Sequence, residues 1–339
     1  MLRAGGLPIA SMIVLGATLA LAPVAAVAQG APLLTLSDTT LFPEGIVRDD
    51  ARSRWLLSSV RQRTVVAVDD AGRITPFTRD LPADVGAILG IRIDPARGAL
   101  FAAAAAVPPM QRFTAADTLR AEVLEFDLAT GALRRRIALP AADRQRVPGD
   151  IAIGPDGTLY VSDGLAARLY VIPPRGAVRV VTSPFIASLQ GMVFARDGRA
   201  LIAADYRHGL IRIPLAVTGA DAATRAGADT ITQITDSAGR KLQGLDGLAW
   251  HGDALIATYN GRLPGRVVRV ALSADQRSIT AFSVLETLVN AGEPTLGVVI
   301  GDAFVFIANS PWSAFDDTGA RKPGTTLAPP EIRRLPLVP

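Results

Sequence analysis

Val123-Leu124-Glu125-Phe126-Asp127 is a short apolar run, and five other segments match it. They are Val65-Val66-Ala67-Val68-Asp69, Leu169-Tyr170-Val171-Ile172, Leu210-Ile211-Arg212-Ile213, Val267-Val268-Arg269-Val270 and Ile332-Arg333-Arg334-Leu335. Branched and apolar residues in runs this short read as strands, and most of these runs lead into a turn bearing Gly or Pro. Six such units repeated along one chain indicate a propeller or a solenoid.

Working outward, two further strands precede each signature segment. The innermost opens on a small residue or Asp: Gly45-Ile46-Val47, Gly90-Ile91-Arg92-Ile93, Asp150-Ile151-Ala152-Ile153, Gly191-Met192-Val193-Phe194, Gly247-Leu248-Ala249-Trp250 and Gly297-Val298-Val299-Ile300. Tight turns such as Pro155-Asp156-Gly157 and Arg196-Asp197-Gly198 follow, and these are hairpin signals. The second strand of each unit is again apolar, as in Trp55-Leu56-Leu57 and Phe304-Val305-Phe306. A fourth, outer strand follows every signature segment except the last: 74–77, 133–139, 177–181, 231–234 and 279–284. The missing one is supplied from the other end of the chain by Leu33-Leu34-Thr35-Leu36, which removes two open sheet edges. The pattern predicts an all-β fold, a six-bladed β-propeller closed by an N-terminal strand in the last blade, over residues 29–339. A β-sandwich is the alternative, and it leaves six matched units unexplained.

The first residues stand apart. A short basic start ending at Arg3, an Ala-rich apolar stretch from Ile9 to Val27, and Ala26-Val27-Ala28 as a small-x-small site read as a signal peptide over residues 1–28. The expected localisation is periplasmic or secreted, with no membrane span in the mature chain. The apolar run is short and holds Pro23, which disfavours an anchor. The chain has no cysteine, which excludes disulfides and thiol chemistry. Formal net charge is +4, or +3 without Arg3. Arginines are spread among acids, and the run Arg134-Arg135-Arg136 lacks aromatic interleaving, so no nucleic-acid partner is expected. Two separated histidines, His208 and His251, make a zinc site unexpected. Neither a phosphate-binding Gly-rich loop nor a serine nucleophile elbow is present.

In a propeller blade, the start of the innermost strand and the connection between second and third strands share one face. Two long connections lie there, 104–121 with Pro108-Pro109-Met110 and 309–330 with Pro311-Trp312. They read as either a cover over the channel mouth or surface decoration. On the opposite face, 216–230 reads as a solvated loop. Asp163, Asp205, Asn260 and Asn309 end second strands on the mouth face, where bonding to the next turn is the favoured role. Trp55 and Trp250 read as packing between blades, and Trp312 as a residue that could meet a ligand.

The residue before each innermost strand faces the channel rim: Glu44, Leu89, Gly149, Gln190, Asp246 and, in the sixth unit, Leu296. Asp150 lies one place later in its blade. Glu44, Asp150, Gln190 and Asp246 thus converge from four blades. Carboxylates and amide carbonyls are hard oxygen donors suited to Ca²⁺. Without a cation, acids brought this close repel, or one carries a raised pKa.

Phe42-Pro43-Glu44-Gly45, Leu189-Gln190-Gly191-Met192-Val193-Phe194 and Leu245-Asp246-Gly247-Leu248-Ala249-Trp250 resemble the senescence-marker-protein/gluconolactonase/luciferin-regenerating-enzyme family. Strictosidine synthases and paraoxonases are similar more distantly. The resemblance implies a six-bladed calcium propeller that hydrolyses lactones or related esters. It implies Glu44, Gln190 and Asp246 as metal ligands, with Asp246 or Asp150 as the general base. Gln190 stands where the family has an Asn ligand, and Gly149 where it has a substrate-side Asn. The expected function is exported, calcium-dependent hydrolysis of a small-molecule lactone or ester by a monomer. The alternative is a non-catalytic periplasmic propeller that binds a small molecule or protein partner.

Overall fold

The computed structural model describes residues 31–114, 120–219, 230–289 and 292–337. The signal segment and most of the 216–230 connection lie outside the described residues. Six four-stranded antiparallel sheets follow one another along the chain. Blade one is Pro43–Asp49, Arg54–Ser59, Thr64–Val68 and Ile74–Pro76, in that spatial order. Blades two to five repeat the order. Blade six runs Gly297–Ile300, Ala303–Ile307 and Glu331–Pro336, and Ala31–Thr35 completes it. In that closing seam Ala31 lies opposite Arg334 and Thr35 opposite Glu331. The six-bladed ring and its N-terminal closure are as the sequence repeats imply.

The inner strands are apolar and buried on both faces: along Ala99–Ala105, Phe101 and Ala103 join one core cluster and Leu100, Ala102 and Ala104 another. Val47, Leu56 and Val65 of blade one pack on Ile91, Leu100 and Leu124 of blade two. Leu34, Ile307 and Ile332 of blade six pack on Trp55 and Leu57 of blade one, so the seam is also a core. Trp250 donates its indole N–H to the Phe194 carbonyl at 2.8 Å, joining blades five and four.

Five innermost strands carry a register shift at the same place. It falls between Pro43 and Ile46, Ile88 and Ile91, Pro148 and Ile151, Leu189 and Met192, and Leu245 and Leu248. The residue pairs within these shifts are Glu44-Gly45, Leu89-Gly90, Gly149-Asp150, Gln190-Gly191 and Asp246-Gly247. A bulge bends its strand and re-aims a side chain. The second residue of each pair lies against the next blade. A Cβ on Gly90 would sit 2.1 Å from the Gly149 carbonyl oxygen, and one on Gly191 2.4 Å from that of Asp246. Glycine at these places allows neighbouring backbones to close around the channel.

The Arg134-Arg135-Arg136 run is neutralised on the outer strand of blade two. These residues pair with Asp127, Glu125, and both Asp84 and Glu122. No helix among the described residues is long and apolar enough to cross a membrane.

Candidate functional site

A cavity of about 610 Å³ opens at the channel mouth. The bulges deliver Glu44, Leu89, Gly149, Gln190 and Asp246 to its wall, the rim set expected from the sequence. Leu296 is not on the wall. In blade six its amide N–H instead reaches the Glu44 carbonyl at 3.4 Å, and Glu293, three residues earlier, supplies the acid.

Asp150 also departs from expectation. It occupies the second bulge position, where other blades have glycine, so its side chain faces the neighbouring blade and not the mouth. Its carboxylate accepts from Arg92 Nη2 at 3.1 Å and from the Met192 and Ile151 amides at 3.0 and 2.8 Å. Blades two, three and four are tied together at this one carboxylate. Asp150 is therefore a strut, and the structure does not bring it into the cavity wall.

Glu44 is braced by the far end of the chain. Trp312 Nε1 donates to Glu44 Oε2 at 2.8 Å, and Ser310 Oγ lies 3.4 Å from the same oxygen. Burial, then the charge of Asp246, raises the Glu44 pKa well above the usual carboxylate range; the Trp312 bond opposes this. Asp246 is 5% exposed. Asn260 Nδ2 donates to its Oδ2 at 2.7 Å, and Tyr206 donates its hydroxyl to Asn260 Oδ1. Burial pushes Asp246 up to about 7, with Asp150 and Glu293 adding to the shift and Asn260 opposing it. Burial and the nearby acids hold the Tyr206 phenol well above its ordinary pKa, so it stays a donor.

Asn260 thus faces the site, contrary to the turn-bonding role expected for it. Asp163 and Asp205 do bond the following turn, as expected, whereas Asn309 bonds backbone further along, giving to the Pro329 carbonyl and accepting from the Glu331 amide. Asp163 accepts from the Val147, Leu165 and Ala166 amides, and Asp205 from four others. His251 lies near Asp302 and Arg269 on the opposite face. Tyr206 and Glu293 escaped the sequence reading. Each sits in a connection outside the repeated strands, where periodicity gives no signal.

The two long connections meet over the mouth. Trp312 packs edge-on against Phe42 with ring centroids 4.9 Å apart, and Phe315 stacks on Phe42 at 5.6 Å. Gly319, at φ +82°, abuts Pro108: a Cβ there would lie 1.8 Å from the Pro108 carbonyl oxygen. These are anchored covers, since Met110 and Phe315 belong to the same buried cluster as Phe42.

The donor set fits a hard divalent cation in kind. Glu44 and Asp246 are desolvated acids, and the ion pairs found among the described residues give neither a basic partner. Gln190 donates its amide nitrogen to Ser188 at 3.2 Å, which leaves the amide oxygen as its other end. Among the described residues, no three acidic or histidine side chains gather closely enough to form a ligand cluster unaided.

Solved structures share this architecture. The PQQ-bound aldose sugar dehydrogenase of Streptomyces coelicolor matches with TM-score 0.55 and 18% identity, over 90% of this chain and 96% of that one. A candidate gluconolactonase matches with TM-score 0.54 and 16% identity, over 92% and 93%. A luciferin-regenerating enzyme matches with TM-score 0.55 and 14% identity, over 88% and 91%. The last two are of the kinds that the rim motifs resemble. At these identities the likeness shows the fold alone. No family model matches the chain, and no curated protein matches it.

Proposed function

We propose that the chain is an exported hydrolase of a lactone or related ester, acting as a monomer with a divalent cation, Ca²⁺ first among candidates. The observation that carries this reading is the pair Glu44 and Asp246. Two acids share one cavity wall, desolvated and without a basic partner among the described residues. Such a pair calls for a cation or a shared proton.

Glu44, Asp246 and the Gln190 amide oxygen would hold the ion, with water completing the set. A bound divalent cation supplies Lewis acidity toward the carbonyl oxygen. Asp246 takes a proton from the attacking water as general base, its carboxylate kept ionised by the adjacent cation. The carbonyl carbon gains that oxygen, the ring C–O bond breaks, and Asp246 returns the proton to the departing alkoxide. Asn260, held by Tyr206, fixes the carboxylate through Oδ2. Trp312 and Phe42 shield the site from bulk water.

Calorimetric titration of Ca²⁺ into metal-stripped protein tests the reading. Saturable one-site binding that disappears in Asp246→Ala, with lactone turnover restored by the ion, is the expected result. No binding and no turnover would overturn it, and would favour a non-catalytic binder.

A further inference from the structure

The cavity wall divides by blade. Blades four, five, six and one contribute Gln190, Tyr206, Asp246, Asn260, Glu293 and Glu44, with Trp312 and Asp317 on the cover. Blades two and three contribute Leu89, Val107, Pro108, Val147 and Leu165. On that second side Gln145 is the one long polar side chain of the wall, and its amide nitrogen is taken by the Ala106 carbonyl at 2.6 Å. Leu165 remains 51% exposed at the cavity edge, an apolar side chain with water on one side. No lysine or arginine is among the described residues that line the cavity, in a chain that holds 35 of them.

From this division we infer that the ligand is an amphiphile: a neutral ester or lactone head against blades four, five, six and one, and an alkyl or aryl body against blades two and three. The inference rests on the hydrolase reading for the head group and on the wall alone for the body. A polyhydroxylated sugar lactone suits this wall poorly. Its hydroxyls would lie against Leu89, Val107 and Val147, where few side-chain partners exist, and unpaired polar groups are costly there. An apolar body gains by leaving water, by about fourfold in affinity per methylene buried.

Two series test this, one for binding and one for turnover. Binding of 1-butanol, 1-hexanol and 1-octanol is followed by calorimetry on the full-length mature protein. Affinity should climb about three- to fourfold per methylene. Leu165→Ser, at an exposed position that folding tolerates, should lower octanol affinity several-fold. Turnover is compared for δ-hexalactone, δ-decalactone and glucono-δ-lactone, and kcat/KM should be highest for δ-decalactone by at least tenfold over the sugar lactone. A flat alcohol series, or a preference for glucono-δ-lactone, overturns the amphiphile. Octanol binding with the expected slope but no lactone turnover keeps the amphiphile and removes the hydrolase.

Discussion

Blades three and five are built on the same bulge, and each brings an aspartate to it. In blade three the order is Gly149-Asp150; in blade five it is Asp246-Gly247. Both bulges are braced alike. The Asp150 amide donates to Ser162 Oγ at 2.9 Å, and the Gly247 amide to Thr258 Oγ1 at 2.8 Å. Exposure does not separate the acids either, at 2% for Asp150 and 5% for Asp246. Partners do. One step along the strand turns Asp150 toward Arg92 and the Met192 amide, while Asp246 meets Asn260, other acids and the cavity. A single position in a bulge thus separates a structural carboxylate from a chemically available one.

The largest expected effect comes from removing the available acid. Asp246→Asn should lower kcat/KM for the best lactone by about 10² to 10⁴-fold, the range for losing a general base. Its fold should survive. In metal-stripped protein burial pushes the Asp246 carboxyl up to about 7, above its unfolded value, so the stability it contributes is fully present below the unfolded pKa and is lost as pH rises toward 7. Melting temperature should therefore fall between about pH 4 and pH 7 in the parent, level off above that, and fall less in Asp246→Asn. An unchanged slope would remove the assignment.

Asp150→Ala should act the other way round. It leaves Arg92 and the Met192 amide without their acceptor at a junction of three blades. The expected loss is about 2 to 3 kcal/mol by urea denaturation, moderated by the partial exposure of Arg92. Residual activity per folded molecule should stay within a few-fold of the parent. A large loss of kcat with intact stability would return Asp150 to the site.

The comparison sharpens if the acid is moved. Exchanging the two residues, Gly149→Asp with Asp150→Gly, recreates the order of blade five in blade three. A Cβ on Gly149 meets only Ser162 Oγ, at 3.4 Å, so the new side chain has room. A further carboxylate at the mouth should raise Ca²⁺ affinity about tenfold, since affinity follows ligand charge count. Calorimetry reads this directly, and unchanged affinity would mean that the mouth does not bind the ion.

The ring was legible in the sequence because each blade repeats the same strand pattern and the same small residue beside the channel. The rim was legible for the same reason, since Glu44, Gln190 and Asp246 sit at one register position. Asp150 misled because a one-residue offset changes the facing of a side chain, and composition does not show facing. Glu293 and Tyr206 were hidden because connections obey no period. Asn260 was hidden because strand-end Asn usually bonds its own turn, whereas the Asp246 bulge offered it a closer acceptor. The apolar wall of blades two and three was spread over five residues from four segments, which only the closed ring assembles.

The closing seam has a mechanical consequence. Ala31–Thr35 runs antiparallel to Glu331–Pro336, with Ala31 opposite Arg334. The chain's two ends therefore leave the seam from the same end of the strand pair. Tension applied through the termini loads these hydrogen bonds one after another, as in opening a zip, and never all at once in shear. Closure of the ring thus relies on a strand pair that force through Ala31 and Pro336 would peel apart from one end.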